Sequence, residues 1–170
     1  MVTRWHLINL PVRLRGHSRH GTVIKDVVIE WPSGQVTGFI LHSNVFRSRF
    51  LPLCPGVAIT PRGVELAHRG LIEPRPRKWV KQTLQLDWIT RRIPVHNAHG
   101  QLLGILNDAV IDEHSGLVKD LVISQGLLAD LIKGSLRLPL DTLAVSDDAS
   151  KETKIYERGY AKGEREETLK

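Results

Sequence analysis

From Val23 to Trp31 the chain is crowded with β-branched residues and interrupted by Lys25, Asp26 and Glu30, the pattern of a strand. Pro32-Ser33-Gly34 supplies turn chemistry and Val36–Leu41 a second strand, so the pair reads as a hairpin. The same order recurs downstream, with a strand at Ile105–Ile111, a turn at Glu113-His114-Ser115-Gly116 and a strand at Leu117–Ile123. Shorter strands are predicted at Phe50–Leu53, Val57–Ile59 and Val64–Leu66. Their counterparts are Leu136–Leu140, Leu143–Val145 and Thr153–Tyr156. The last pairing predicts that Ile155 and Tyr156 close the second unit instead of belonging to a loose tail.

The recurrence has a spacing that drifts only through plausible loop changes. Trp5 and Trp88 are 83 apart, as are Pro11-Val12 and Pro94-Val95. Lys25–Ile29 matches Asn107–Ile111, and Ser33–Val36 matches Ser115–Val118, both at a spacing of 82. Two homologous units follow, with a first barrel over 3–70 and a second over 86–157. Closing each small sheet removes edges that would otherwise invite aggregation. Trp5 and Trp88 each open a unit on an alternating strand (Leu84, Leu86 and Trp88 in the second). Each is a candidate either for unit–unit contact or for plugging its own barrel. Residues 71–85, with Pro74-Arg75-Pro76-Arg77-Lys78, read as a stiff basic linker. Residues 127–134 carry a short amphipathic helical pattern, and 158–170 read as a charged, frayed tail.

Composition changes the picture in two respects. A single cysteine, Cys54, excludes a disulfide scaffold, and no apolar run approaches the roughly 20 residues of a membrane helix. With no signal-like apolar segment at the start, a soluble cytoplasmic protein is expected. The charge is uneven: residues 1–81 hold 13 basic against 4 acidic side chains, and residues 82–150 hold 5 against 9. A basic half can attract nucleic acid, an anionic surface or an acidic protein, or can face the acidic half of the same or a second copy.

Candidate chemistry is sparse. His17-x-x-His20 and His96-x-x-His99 fall out of register with each other across the repeat, which speaks against a shared metal design, and turn histidines are the expectation. Cys54 has no histidine placed beside it and reads as a small buried hydrophobe. Phosphate-cradling glycine loops and nucleophile elbows are missing, so neither an enzyme nor a cofactor is expected. The strongest candidate surface is basic: Arg69, Arg75, Arg77, Lys78 and Lys81 around the linker, with Trp79 among them, then Arg91 and Arg92. Guanidinium groups suit phosphate or carboxylate, and an adjacent aromatic could stack on a base. The competing reading is an interdomain strap whose arginines pair with the acidic second unit.

Gly104–Asp112, then Ser115-Gly116-Leu117-Val118, then Leu138-Pro139-Leu140, resembles the repeat of the PRC-barrel family. That family includes a barrel of the photosynthetic reaction centre H subunit and the C-terminal domain of a ribosome maturation factor. The first unit matches more loosely, through Asp26, Ile29, Gly34 and Leu51-Pro52-Leu53, with Thr22 in place of Gly104. The resemblance implies an all-β fold of two tandem small antiparallel barrels. It also implies a non-enzymatic adaptor that binds a protein partner through barrel faces, or else an RNA- or ribosome-associated factor using the basic half; a homo-oligomer fits either. The matching residues would be architectural, with Gly34 and Gly116 at turns needing positive φ. Asp26 and Asp108 would cap a backbone turn or pair with a basic side chain.

Overall fold

The computed structural model describes residues 1–17, 20–42, 48–126, 130–131, 134–147 and 153–158. A two-residue strand, β1 (Val2–Thr3), leads into a one-turn helix, α1 (Arg4–Leu7). The first half continues with β2 (Pro11–Leu14), β3 (His20–Glu30), β4 (Gln35–Leu41), β5 (Ser48–Pro52), β6 (Val57–Thr60) and β7 (Gly63–Leu66). A connecting stretch holds β8 (Glu73–Arg75), α2 (Arg77–Leu86) and α3 (Trp88–Arg91). The second half is β9 (Pro94–His96), β10 (Leu102–Ile111), β11 (Val118–Ser124), β12 (Leu136–Pro139), β13 (Leu143–Asp147) and β14 (Thr153–Glu157).

The molecule is mostly β, in two seven-stranded mixed sheets. One runs β6-β7-β2-β3-β4-β5-β8; the other runs β12-β11-β10-β9-β14-β13, with β1 added beside β10. The repeat survives at the level of register. Ile24 faces Leu41, Val27 faces Phe39 and Ile29 faces Val36, while Leu106 faces Ile123, Ala109 faces Leu121 and Ile111 faces Val118. Leu51 pairs with Phe39 as Leu138 pairs with Leu121. Ile155 is fully buried and pairs with Val95, so the last described strand completes the second sheet.

The sheets are not antiparallel throughout. β7 runs parallel to β2 and β14 parallel to β9. The corner after β5 carries the chain onward into β6 without reversing it, so the β6–β7 hairpin returns to β2 in the parallel sense.

One apolar core runs through both halves, from Val12, Phe39 and Leu51 to Leu106, Leu121 and Ile155. At its centre the two hairpin turns meet. Val36 N donates to Gly116 O at 2.8 Å, Val118 N donates to Gly34 O at 2.9 Å, and Gln35 bridges Leu117. Gly34 and Gly116 have φ of 72° and 67°. A Cβ on Gly34 would run into Leu140 and one on Gly116 into Leu53, two leucines in equivalent places after the Pro52 and Pro139 strand ends. The halves therefore meet through matching parts of the repeat.

The connecting stretch corrects the expected linker over 71–85 and the expected strand through Leu84, Leu86 and Trp88. Pro74 lies in β8, which pairs with β5, and residues 77–86 form a helix. Val80 and Leu84, one helical turn apart, cover the outer face of the first sheet with Trp79, packing around Ile40 and Phe50. Fully burying a side chain such as Val80 contributes roughly 1.5–3 kcal/mol, and the half-buried Leu84 and Trp79 add part of that. That gain outweighs the period-two pattern at Leu84 and Leu86, and Leu86 is left 72% exposed. Of the helix expected over 127–134, residues 127–129 and 132–133 lie outside the described residues, as does the expected tail beyond residue 158.

Candidate functional site

The short helices that precede each half set up the most densely connected polar contact among the described residues. Thr3 caps α1 by accepting from His6 N at 3.1 Å, and Asp87 caps α3 by accepting from Thr90 N at 2.9 Å and Thr90 Oγ1 at 2.8 Å. Each helix is followed by a residue at positive φ, Asn9 and Arg92, 83 apart, which turns the chain into β2 or β9. The buried Arg4 side chain reaches from α1 to both halves. Its Nη2 lies 2.7 Å from Asp26 Oδ1 and 3.3 Å from Asp87 Oδ2. Asp26 also accepts from Val27 N at 2.7 Å, and Asp87 from Trp31 Nε1 at 2.9 Å. Burial pushes the Asp26 carboxyl above its ordinary value, with Arg4 pulling the other way. Asp108, the repeat counterpart of Asp26, accepts from Trp5 N at 3.1 Å and Ala109 N at 2.8 Å. Both aspartates thus serve the architecture, as their place in the repeat implied.

The two tryptophans have parted company. Trp88 is 6% exposed and stacks on Trp31 of the first half, with ring centroids 4.7 Å apart and planes 6° from parallel. Trp88 is therefore a contact between the halves. Trp5 is 75% exposed. The difference lies in the partner. At a spacing of 82, the position matching Trp31 is Glu113, which pairs with the Met1 amino group at 2.9 Å. The backbone under Trp5 is nonetheless fixed. Trp5 N is held on Asp108 in the second half, and His6 Nε2 donates to Pro61 O, between β6 and β7 of the first. A large aromatic side chain is thus presented to solvent from a rigid mount. The sequence contained this signal, since the repeat alignment sets Glu113 opposite Trp31.

The basic residues picked out along the chain do not converge. Arg77, Lys78 and Lys81 share the exposed side of α2, a helix without an acidic residue. Arg91 and Arg92 are exposed at the end of α3, and Arg91 Nη1 donates to Thr153 Oγ1 at 3.3 Å. Arg69 lies apart, in a 3-10 turn beside His17 and Arg49 at a groove of the first half. Arg75 is built into the fold: it pairs with Glu73 and lies 5.3 Å from the Trp79 ring centroid and 5.7 Å from that of Phe50. Its acidic partner is two residues away on the same strand, not in the second half. Trp79 is half-buried, edge-on to Phe50 at 5.0 Å with the Arg75 guanidinium over its ring, so the ring is engaged within the fold.

A second groove, about 710 Å³, opens beside Trp88 with Pro32 and Ser33 on one side and Leu143, Val145 and Ile155 on the other. Its rim carries Lys119 and Arg158 against Asp120 and Asp141, a balanced charge. Cys54 is half-buried. His96 stacks on Tyr156 at 5.1 Å, and burial lowers its pKa. Among the described residues no three His, Cys, Asp or Glu side chains converge as a metal site would require. No family model matches this chain, and no curated protein matches it.

Proposed function

We propose that this protein is a non-enzymatic docking module built from two tandem PRC-type barrels, and that it binds an acidic protein partner through the surface around Trp5. Support for the tandem reading comes from the shared strand order, the registers kept at a spacing of 82 and the meeting of the two turns. The observation that carries the docking reading is the contrast between Trp88, covered by Trp31, and Trp5, uncovered on a rigid backbone. Rigid exposed tryptophans are effective interface anchors because they bury much area and lose little entropy. The nearby His6 and Arg62 and the excess of basic over acidic residues in the first half favour an acidic partner.

A second reading, RNA binding, rests on Arg77, Lys78 and Lys81, exposed on α2 and free of ion pairs among the described residues. It is the weaker one, because the Trp79 ring is already engaged by Phe50 at its edge and by Arg75 over its ring.

The experiment is capture from the native host with and without nuclease, using the wild type, Trp5→Ala and a triple charge reversal at Arg77, Lys78 and Lys81. A nuclease-resistant protein that Trp5→Ala loses and the triple variant keeps is the expected result. Nuclease-sensitive capture lost only by the triple variant would replace the docking reading with the RNA reading.

A further inference from the structure

The first half contains a groove of about 480 Å³ lined by residues of β2, β3, β5 and β7. Along β5, Phe50 packs outward with Val80 while Leu51 enters the main core. Strand alternation therefore puts Arg49 on the same face as Leu51. The matching position in the second half, set by the pairing of Leu41 with Arg49 and of Ile123 with Leu136, is a leucine packed against the core. Arg49 thus stands where the repeat would place an apolar side chain. Leu66 shows the converse: its counterpart across the β13–β14 pairing is Glu157.

The resulting groove has an apolar floor including Val12, Leu14 and Leu66 and a rim bearing His17, Arg49 and Arg69. Among the described residues no acidic side chain lines it, and Arg49 and Arg69 make no ion pair. Its volume falls in the range of about 300–1,000 Å³ usual for small-ligand sites. Apolar walls lower the local dielectric and strengthen guanidinium–anion contacts at the rim.

We propose that this groove binds a small soluble organic anion, with its carboxylate or phosphate held by Arg49 and Arg69 and its apolar body laid on Val12, Leu14 and Leu66. The anion is held by hydrogen bonds and charge, with no bond made or broken. The site is separate from Trp5 and from the cations of α2.

Calorimetric titration of the full chain with octyl phosphate tests it, with inorganic phosphate and octanol as half-ligands. One-site binding of octyl phosphate is expected, with each half-ligand at least about tenfold weaker. Arg49→Leu installs the residue the second half already carries, and a thermal melt verifies that it folds; Arg49→Gln is the polar companion. Both should weaken octyl phosphate by about tenfold or more, while Lys78→Gln on α2 leaves it unchanged. Equal affinity for inorganic and octyl phosphate, or unchanged binding in both Arg49 variants, would overturn the proposal. So would co-sedimentation with phosphatidylglycerol vesicles that Arg49→Leu abolishes, because the occupant would then be a membrane and not a free ligand.

Discussion

Replacing Arg4 with methionine removes one buried cation and strands two buried carboxylates. Arg4 Nη2 lies 2.7 Å from Asp26 and 3.3 Å from Asp87, and all three side chains are largely shielded from water. Methionine keeps much of the apolar stem but none of the charge. Asp87 retains the Trp31 and Thr90 donors, whereas Asp26 retains the Val27 N–H. Breaking a buried pair by deleting one partner costs about 3–5 kcal/mol. For a chain of this length each kcal/mol is worth about 2–4 °C, so the melting temperature should fall by roughly 6–20 °C at pH 7. Asp26 already titrates above its ordinary value, and without Arg4 it rises further. A carboxyl raised in the folded state holds its proton more tightly there. Its favourable contribution is fully present below the ordinary value of 3.8 and is lost as pH climbs through the folded value. The Arg4→Met deficit is therefore largest at neutral pH and narrows toward pH 4. Urea unfolding followed by tryptophan fluorescence from pH 4 to 8 measures this, and Arg4→Met/Asp26→Asn should recover a large part of the neutral-pH loss. A variant within about 0.5 kcal/mol of wild type at pH 7, the range of ordinary surface changes, would refute the reasoning, as would a deficit that does not vary with pH.

Trp88→Ala should cost about 3–5 kcal/mol by emptying the site against Trp31, whereas Trp5→Ala should stay within about 0.5 kcal/mol, since its ring is exposed; thermal melts of the two compare them directly. Gly34→Ala and Gly116→Ala should each lose at least about 1–2 kcal/mol from positive φ, with more from the leucine of the opposite half, and urea denaturation reads the difference. Asp112 Oδ1 accepts from Ser115 N and His114 N, which holds its carboxyl below the ordinary range. Its contribution is present above 3.8 and lost as pH falls through the lowered value, so wild type and Asp112→Ala should differ at neutral pH and converge in acid.

The hairpins, their turns and the correspondence between the halves were legible because each rests on local rules. β-branched runs make strands, Pro32-Ser33-Gly34 and Ser115-Gly116 make turns, and a spacing of 82 carries each register from one half to the other. The aspartates at 26 and 108 were legible in kind, as groups that cap or pair, because a carboxylate among apolar strand residues must find donors. Three things were decided in space. The segment through Leu84 and Leu86 alternates like a strand, yet it is a helix, because the outer face of Ile40 and Phe50 needs cover that only the folded sheet creates. The basic residues around the linker are neighbours in sequence, but Arg75 is drawn into the sheet while Arg69 faces a groove beside His17 and Arg49. Trp5 and Trp88 are equivalent in the repeat, and what separates them is whether the opposite half supplies a tryptophan or a glutamate. Propensity and spacing act along the chain, so one chain suffices to read them; burial and partnership act between distant segments and exist only once those segments meet.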